Sequence, residues 1–242
     1  MEYSDMIIFA MEIVGTIAFA VSGAMIAIQR RMDLFGVNVL GVTTATGGGL
    51  IRDLILGMNP PAMFRNSKYA LTAVVTSTVV FFFVYLKERQ QRRMREQWRK
   101  EGGSPDPSSV RSWIPQIFRK WYHAHEMYER LLFLGDTIGL GIFTVMGSYT
   151  AVKAGFGENR FLLVFVGVMT GVGGGLMRDV MAGNMPYILM KHVYAVASLG
   201  GALVYTLLRP YIGNLPCMMT GAAAVMTIRF LAAHYRWNLP RV

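Results

Sequence analysis

The heptapeptide Gly47-Gly48-Gly49-Leu50-Ile51-Arg52-Asp53 recurs as Gly173-Gly174-Gly175-Leu176-Met177-Arg178-Asp179, and both copies lie in otherwise apolar stretches. Three consecutive glycines weaken a helix by about 1 kcal/mol each relative to alanine and leave its backbone open to water or ions. A helix broken there would end one half in free carbonyls, which coordinate cations, and begin the other with free amides, which attract anions. Glycine triplets also let two helices approach closely. Duplication at matched positions, each copy followed by Arg-Asp, favours a pathway over packing alone. Arg52 and Arg178 each cost about 2.5–3.5 kcal/mol in a bilayer unless they face water, protein or headgroups. Asp53 and Asp179 adjoin them in sequence, but neighbouring helical positions do not face each other, so partners on other helices are expected. Either these are fixed ion pairs that hold the helices together, or at least one arginine borders a pore as a plug or electrostatic gate.

Two further carboxylates, Glu12 and Asp136, stand inside apolar stretches and could attract cations or carry protons. Thr44, Thr46 and Thr170 flank the triplets and would line a path through them; Ser22, Thr43, Thr144 and Ser148 are further hydroxyls. Such hydroxyls commonly bond to their own helix backbone, so most are read as structural. His123 and His125, two positions apart, do not share a helix face, and no metal site is expected there. His192 and His234 read as interfacial. The lone cysteine, Cys217, excludes an intramolecular disulfide and a cysteine-cluster metal site. No metalloprotease, serine-hydrolase or phosphate-loop motif is present, so neither enzyme chemistry nor a cofactor is expected.

The elements that must position these residues are membrane helices. The chain has 242 residues, 53% hydrophobic and only 16% charged, whereas soluble domains carry roughly 25% charged residues. Apolar stretches at Met6–Ile28, Leu34–Leu56, Ala70–Leu86, Leu131–Val152, Phe161–Met181, Val193–Leu208 and Leu215–Ala233 approach the length of about 20 residues that crosses a bilayer. They leave no room for a large soluble catalytic domain. The fold class is thus an all-α integral membrane protein of seven spans. The formal charge of +10 reports topology and contact with anionic lipid rather than nucleic acid. Arg30 and Arg31, the segment Lys87–Arg130, Arg178, Lys191, Arg236 and Arg241 fall on one side, which the positive-inside rule makes cytoplasmic. The N-terminus is then outside and the C-terminus inside, as expected of a multi-pass protein of the inner membrane.

Residues 87–130 form the one substantial polar segment. Its basic start continues the third helix, and Gly102, Gly103, Pro105 and Pro107 interrupt it. Beyond them Ile114, Ile117, Phe118 and Trp121 recur at helical spacing, with Arg119 and Lys120 between and Trp113 before. This predicts an amphipathic helix on the membrane surface that contacts anionic lipid through Trp113, Phe118, Arg119, Lys120 and Trp121; a solvated linker is the plainer alternative.

The duplication extends to Thr44 with Thr170, Gly57 with Gly183 and Pro60 with Pro186, and in shifted register to Gly15-Thr16-Ile17 with Asp136-Thr137-Ile138. It divides the chain into residues 1–86, a first three-helix repeat; 87–130, the basic insert; 131–208, a second repeat; and 209–242, the seventh helix and tail. Three spans per unit force the second copy to be inverted, the arrangement in which channels and transporters place their pathway near the midplane.

The duplicated Gly-Gly-Gly-Leu-x-Arg-Asp, its trailing glycine and proline, and the 3+3+1 plan resemble the prokaryotic branch of the trimeric intracellular cation channel family, whose bacterial members also carry the name glycine-transporter-like domain. The resemblance covers both repeats and the seventh span. It implies a homotrimer with one pore per subunit, built around second and fifth helices kinked at Gly47–Gly49 and Gly173–Gly175 and permeable mainly to K⁺. It also implies Arg52 and Arg178 as the charges that follow the kinks. The long insert departs from that pattern. Three functions remain: a passive monovalent cation channel, a secondary transporter of glycine or another small solute, and a non-transporting scaffold that recruits a partner through the insert.

Overall fold

The computed structural model describes residues 3–100, 107–190, 193–235 and 237, with side chains placed for 4–90, 93, 129–189, 193–235 and 237. The readings made above on Trp113, Phe118, Arg119, Lys120, Trp121, His123, His125 and His192 therefore lie outside the described side chains.

The described residues are helical: α1 (Tyr3–Gln29), α2 (Leu34–Ile55), a short α3 (Ala62–Arg65), α4 (Lys68–Lys100), α5 (Pro107–Ala151), α6 (Arg160–Met181), a short α7 (Tyr187–Met190), α8 (Val193–Ile212) and α9 (Asn214–His234). Among the described residues, seven segments are long and apolar enough to cross a membrane: Ser4–Gln29, Leu34–Ile55, Lys68–Gln90, Glu129–Phe156, Arg160–Met181, Val193–Ile212 and Asn214–His234. Their order matches the seven spans predicted from hydropathy. α4 runs past its span to Lys100, as its basic continuation suggested. The surface helix is different: α5 is one unbroken helix from Pro107 into the fourth span, so the segment is an extension of that span and not a separate element.

The repeats share their caps as well as their spans. α2 and α6 start at Asp33 and Asn159, whose side-chain oxygens accept from the amides of Gly36 and Leu162 at 2.8 and 3.0 Å, each satisfying a donor that the first helical turn leaves orphaned. Both helices end in a Schellman motif. The Gly57 and Gly183 amides donate to Leu54 and Val180, and those of Met58 and Asn184 to Asp53 and Asp179, both at 2.8 Å. The motif needs a left-handed residue, and the two glycines supply φ of 69° and 65°. The trailing glycines of the duplicated motif are therefore helix stops.

α1 packs on α5 and α2 on α6 along the middle of the bundle, while α4 and α8 flank their own repeats and α9 covers α5 and α8. The break expected at the triplets is absent. α2 and α6 are helical throughout, so no half-helix presents free carbonyls or amides there. In this arrangement the glycines serve packing. A methyl group on Gly48 would overlap the carbonyl oxygen of Thr170, and one on Gly174 would overlap that of Thr44. The two helices thus cross backbone to backbone, as small residues permit in a bilayer. On the side bearing Arg30 and Arg31, called here the basic side, the Arg30 guanidinium donates to Asn184 and ties the first connection to the end of α6.

Candidate functional site

Each Arg-Asp pair lies in the last turn of its helix, just past the glycine crossing. The neighbours pair, which their helix faces did not suggest, with Arg52 Nε 2.8 Å from Asp53 Oδ1 and Arg178 Nε 2.8 Å from Asp179 Oδ1; Arg178 also has the expected partner on another helix, Asp136 of α5. Chain reversal after the Schellman stop brings the next short helix back to the aspartate. Asp53 Oδ2 accepts from the Ala62 amide at 2.6 Å and Asp179 Oδ2 from the Tyr187 amide at 2.8 Å. An anionic oxygen at a helix N-terminus is favourable, and holding that oxygen outward leaves its partner facing the arginine.

A carboxylate from the first helix of each repeat and a tyrosine from the third complete the two sites. In the first repeat the Tyr69 hydroxyl donates to Glu12. In the second the Tyr194 hydroxyl donates to Asp136 Oδ1 at 3.3 Å. Glu12 and Asp136 are therefore counterparts, which overturns the expected alignment of Asp136 with Gly15. The first site lies on the far side of the crossing and the second on the basic side, as inversion requires.

The sites differ in what holds the carboxylate. Asp136 is 3% exposed. It accepts from Arg178 Nη1 at 2.9 Å and, through its other oxygen, from Arg229 Nη2 of α9 at 3.0 Å. The same Arg178 nitrogen donates to Ser22 Oγ. Arg229 is packed among the rings of Phe133, Tyr187 and Tyr194, with centroids 5.1, 5.9 and 4.7 Å from its guanidinium carbon, positions that favour a cation over the ring faces. A cavity of about 300 Å³ opens on the basic side against Asp136, Arg178, Asp179, Asn184, Tyr187 and Arg229. Arg52 makes its ion pair with Asp53, and Glu12 has no cationic partner within ion-pair distance among the described residues.

The hydroxyls behave as structural groups. Thr44, Thr46 and Thr170 donate to the carbonyls of Leu40, Val42 and Val166 at 2.6, 2.8 and 2.6 Å, within their own helices. Sequence reasoning missed Tyr69, Tyr194 and Arg229. Arg229 carried a signal, being the one charged residue within Leu215–Ala233.

The fold and its two inverted Arg–carboxylate–Tyr sites define a seven-helix membrane protein of the inverted-repeat class. A family model described as "Glycine transporter" matches residues 9–85 and 133–210, once per repeat, and the chain belongs to that family. The inner membrane protein YadS of Escherichia coli is 34% identical over 97% of this chain and 96% of its own. A membrane protein of Deinococcus radiodurans is 32% identical over 95% and 89%. Among solved structures, one described as "Structural basis for conductance through TRIC cation channels" has a TM-score of 0.71 at 31% identity over 96% of each chain. The trimeric intracellular cation channel orthologue from Rhodobacter sphaeroides has a TM-score of 0.73 at 25% identity, covering 96% of this chain and 99% of its own. These solved relatives are channels and not enzymes.

Proposed function

We propose that the protein is a monovalent cation channel, mainly for K⁺, of the bacterial inner membrane, with the N-terminus outside. It would assemble as a homotrimer with one pathway in each subunit. The observation that carries this reading is the likeness over nearly the whole of both chains to a protein described as a cation channel. The two inverted sites, one on either side of the glycine crossing, support it. In this arrangement the crossing is shut by backbone contact between Gly48 and Thr170 and between Gly174 and Thr44. Opening is a bend of α2 and α6 at Gly47–Gly49 and Gly173–Gly175, where helix propensity is lowest. Cations then move between the far site and the basic-side cavity. Arg52 and Arg178 set the potential along that route.

Single-channel recording of purified protein in asymmetric KCl tests the reading, with K⁺-selective unitary currents expected. Arg52→Ala should raise unitary conductance, because it removes a positive charge beside the route and leaves Asp53 bound to the Ala62 amide. Unchanged conductance in a correctly assembled variant would take Arg52 off the pathway. The family description favours a second reading, slow transport of glycine, which requires saturable uptake of glycine by proteoliposomes and no unitary currents. We further propose that the basic insert strengthens association with anionic lipid by longer-range attraction, to which Arg119 and Lys120 contribute up to about 1 kcal/mol each, the value for a cation at such a surface. Flotation with liposomes should then increase with anionic lipid for the wild type more than for Arg119→Gln/Lys120→Gln.

A further inference from the structure

The inverted repeats supply two equivalent carboxylates, and the seventh helix, which has no counterpart, treats them differently. Both oxygens of Asp136 are engaged, one by Arg178 and Tyr194 and the other by Arg229. Two guanidinium groups, Arg178 and Arg229, against the two carboxylates Asp136 and Asp179 leave no net negative charge to attract a further cation. Glu12 is only half-buried. Its Oε2 accepts from the Tyr69 hydroxyl and its Oε1 has no hydrogen-bond donor among the described residues. The Arg52 and Lys153 cations and the Asp53 carboxylate act on it only at longer range.

From this asymmetry we infer that Glu12 alone of the pair meets the permeating cation, and that Arg229 withdraws Asp136 from that role. A carboxylate with one oxygen free replaces part of the hydration shell of a K⁺ ion. The Tyr69 hydroxyl, by fixing the other oxygen, aims the free one. The pathway then holds one anionic cation site on its far half and a charge-balanced cluster on its basic half, so the two directions of ion entry are unequal although the repeats are nearly symmetric. Arg229 is a positioning residue in this scheme: it acts on the ion through Asp136.

The inference rests on the channel reading, and the experiment separates the two. Wild type, Glu12→Gln, Glu12→Asp and Arg229→Gln are compared by unitary conductance at low and high KCl. They are compared as well by infrared difference spectra of the purified proteins on exchange of K⁺ for N-methyl-glucamine. Glu12→Gln is expected to lower conductance severalfold at low KCl and much less at high KCl, where ion entry no longer limits, and to abolish the K⁺-dependent carboxylate band. Glu12→Asp should restore most of both. Arg229→Gln should add a second K⁺-dependent carboxylate band, from the released Asp136. Wild-type conductance in Glu12→Gln at low KCl, or a carboxylate band that survives the substitution, overturns the inference while leaving the channel intact. If the wild type passes no current, the channel reading fails, and the infrared band alone decides: lost in Glu12→Gln it supports a cation site at Glu12, whereas its persistence there, or its absence in the wild type, refutes one.

Discussion

Gly48→Ala and Gly174→Ala are each expected to lower stability by about 3 kcal/mol or more, at or beyond the upper end of the usual cost of overpacking, whereas Gly49→Ala should be neutral or slightly stabilising. The difference comes from what a new methyl group would meet. At Gly48 and Gly174 it would strike a carbonyl oxygen of the facing helix, held in its own helical hydrogen bond and unable to rotate aside. Either the helices separate or the new side chain stays overpacked. At Gly49 the nearest atom is Arg52 Nη2 at 3.7 Å, an ordinary contact with the end of a side chain. There alanine brings only its helix propensity, worth up to about 1 kcal/mol. Thermal unfolding of the purified proteins in detergent, followed by loss of the monodisperse peak, gives the comparison. If Gly48→Ala melts with Gly49→Ala, the backbone crossing is not as close as described, and the triplets revert to a means of weakening the helix.

The spans were legible because hydropathy and length answer to one physical constraint, the thickness of the bilayer. The duplicated heptapeptide was legible because both copies meet the same requirements: a glycine at the crossing, an arginine and aspartate in the last turn, and a glycine at the left-handed stop. What stayed hidden depends on register or on long side chains. Glu12 and Asp136 are not separated by the spacing that relates the two triplets, nor are Tyr69 and Tyr194, so the triplets do not set the register of the flanking spans, and the likeness of Thr16-Ile17 to Thr137-Ile138 draws Asp136 onto Gly15 instead. The Arg52–Asp53 bond runs against a rule about where helical side chains begin, which favours partners on other helices. That rule does not see an aspartate turned by the amide of the following short helix. Helix continuity through three glycines was also hidden, since a low propensity is overridden when the facing backbone packs into the space that the missing side chains leave.

Asp136→Ala is the second substitution expected to have a large effect, about 3–5 kcal/mol of lost stability, against about 1 kcal/mol for Glu12→Ala, which gives up the hydrogen bond from Tyr69. Among the described residues, removing Asp136 takes away the only carboxylate bonded to Arg229 and leaves that guanidinium, 6% exposed in the native protein, among three aromatic rings with its Nε already lacking a partner. Arg178 retains Asp179 and Ser22 but loses its link to α5. Two buried positive charges then line one cavity with one of its carboxylates gone. Arg229→Gln is expected to cost less than Asp136→Ala, because Asp136 keeps Arg178 and Tyr194. Adding Arg229→Gln to Asp136→Ala should recover part of the loss, since the stranded charge disappears with it. The melting temperatures of the four variants and the wild type decide the matter. Equal losses from Glu12→Ala and Asp136→Ala would mean that the two inverted sites bear the same load and that the arginine of the seventh helix is not what sets them apart.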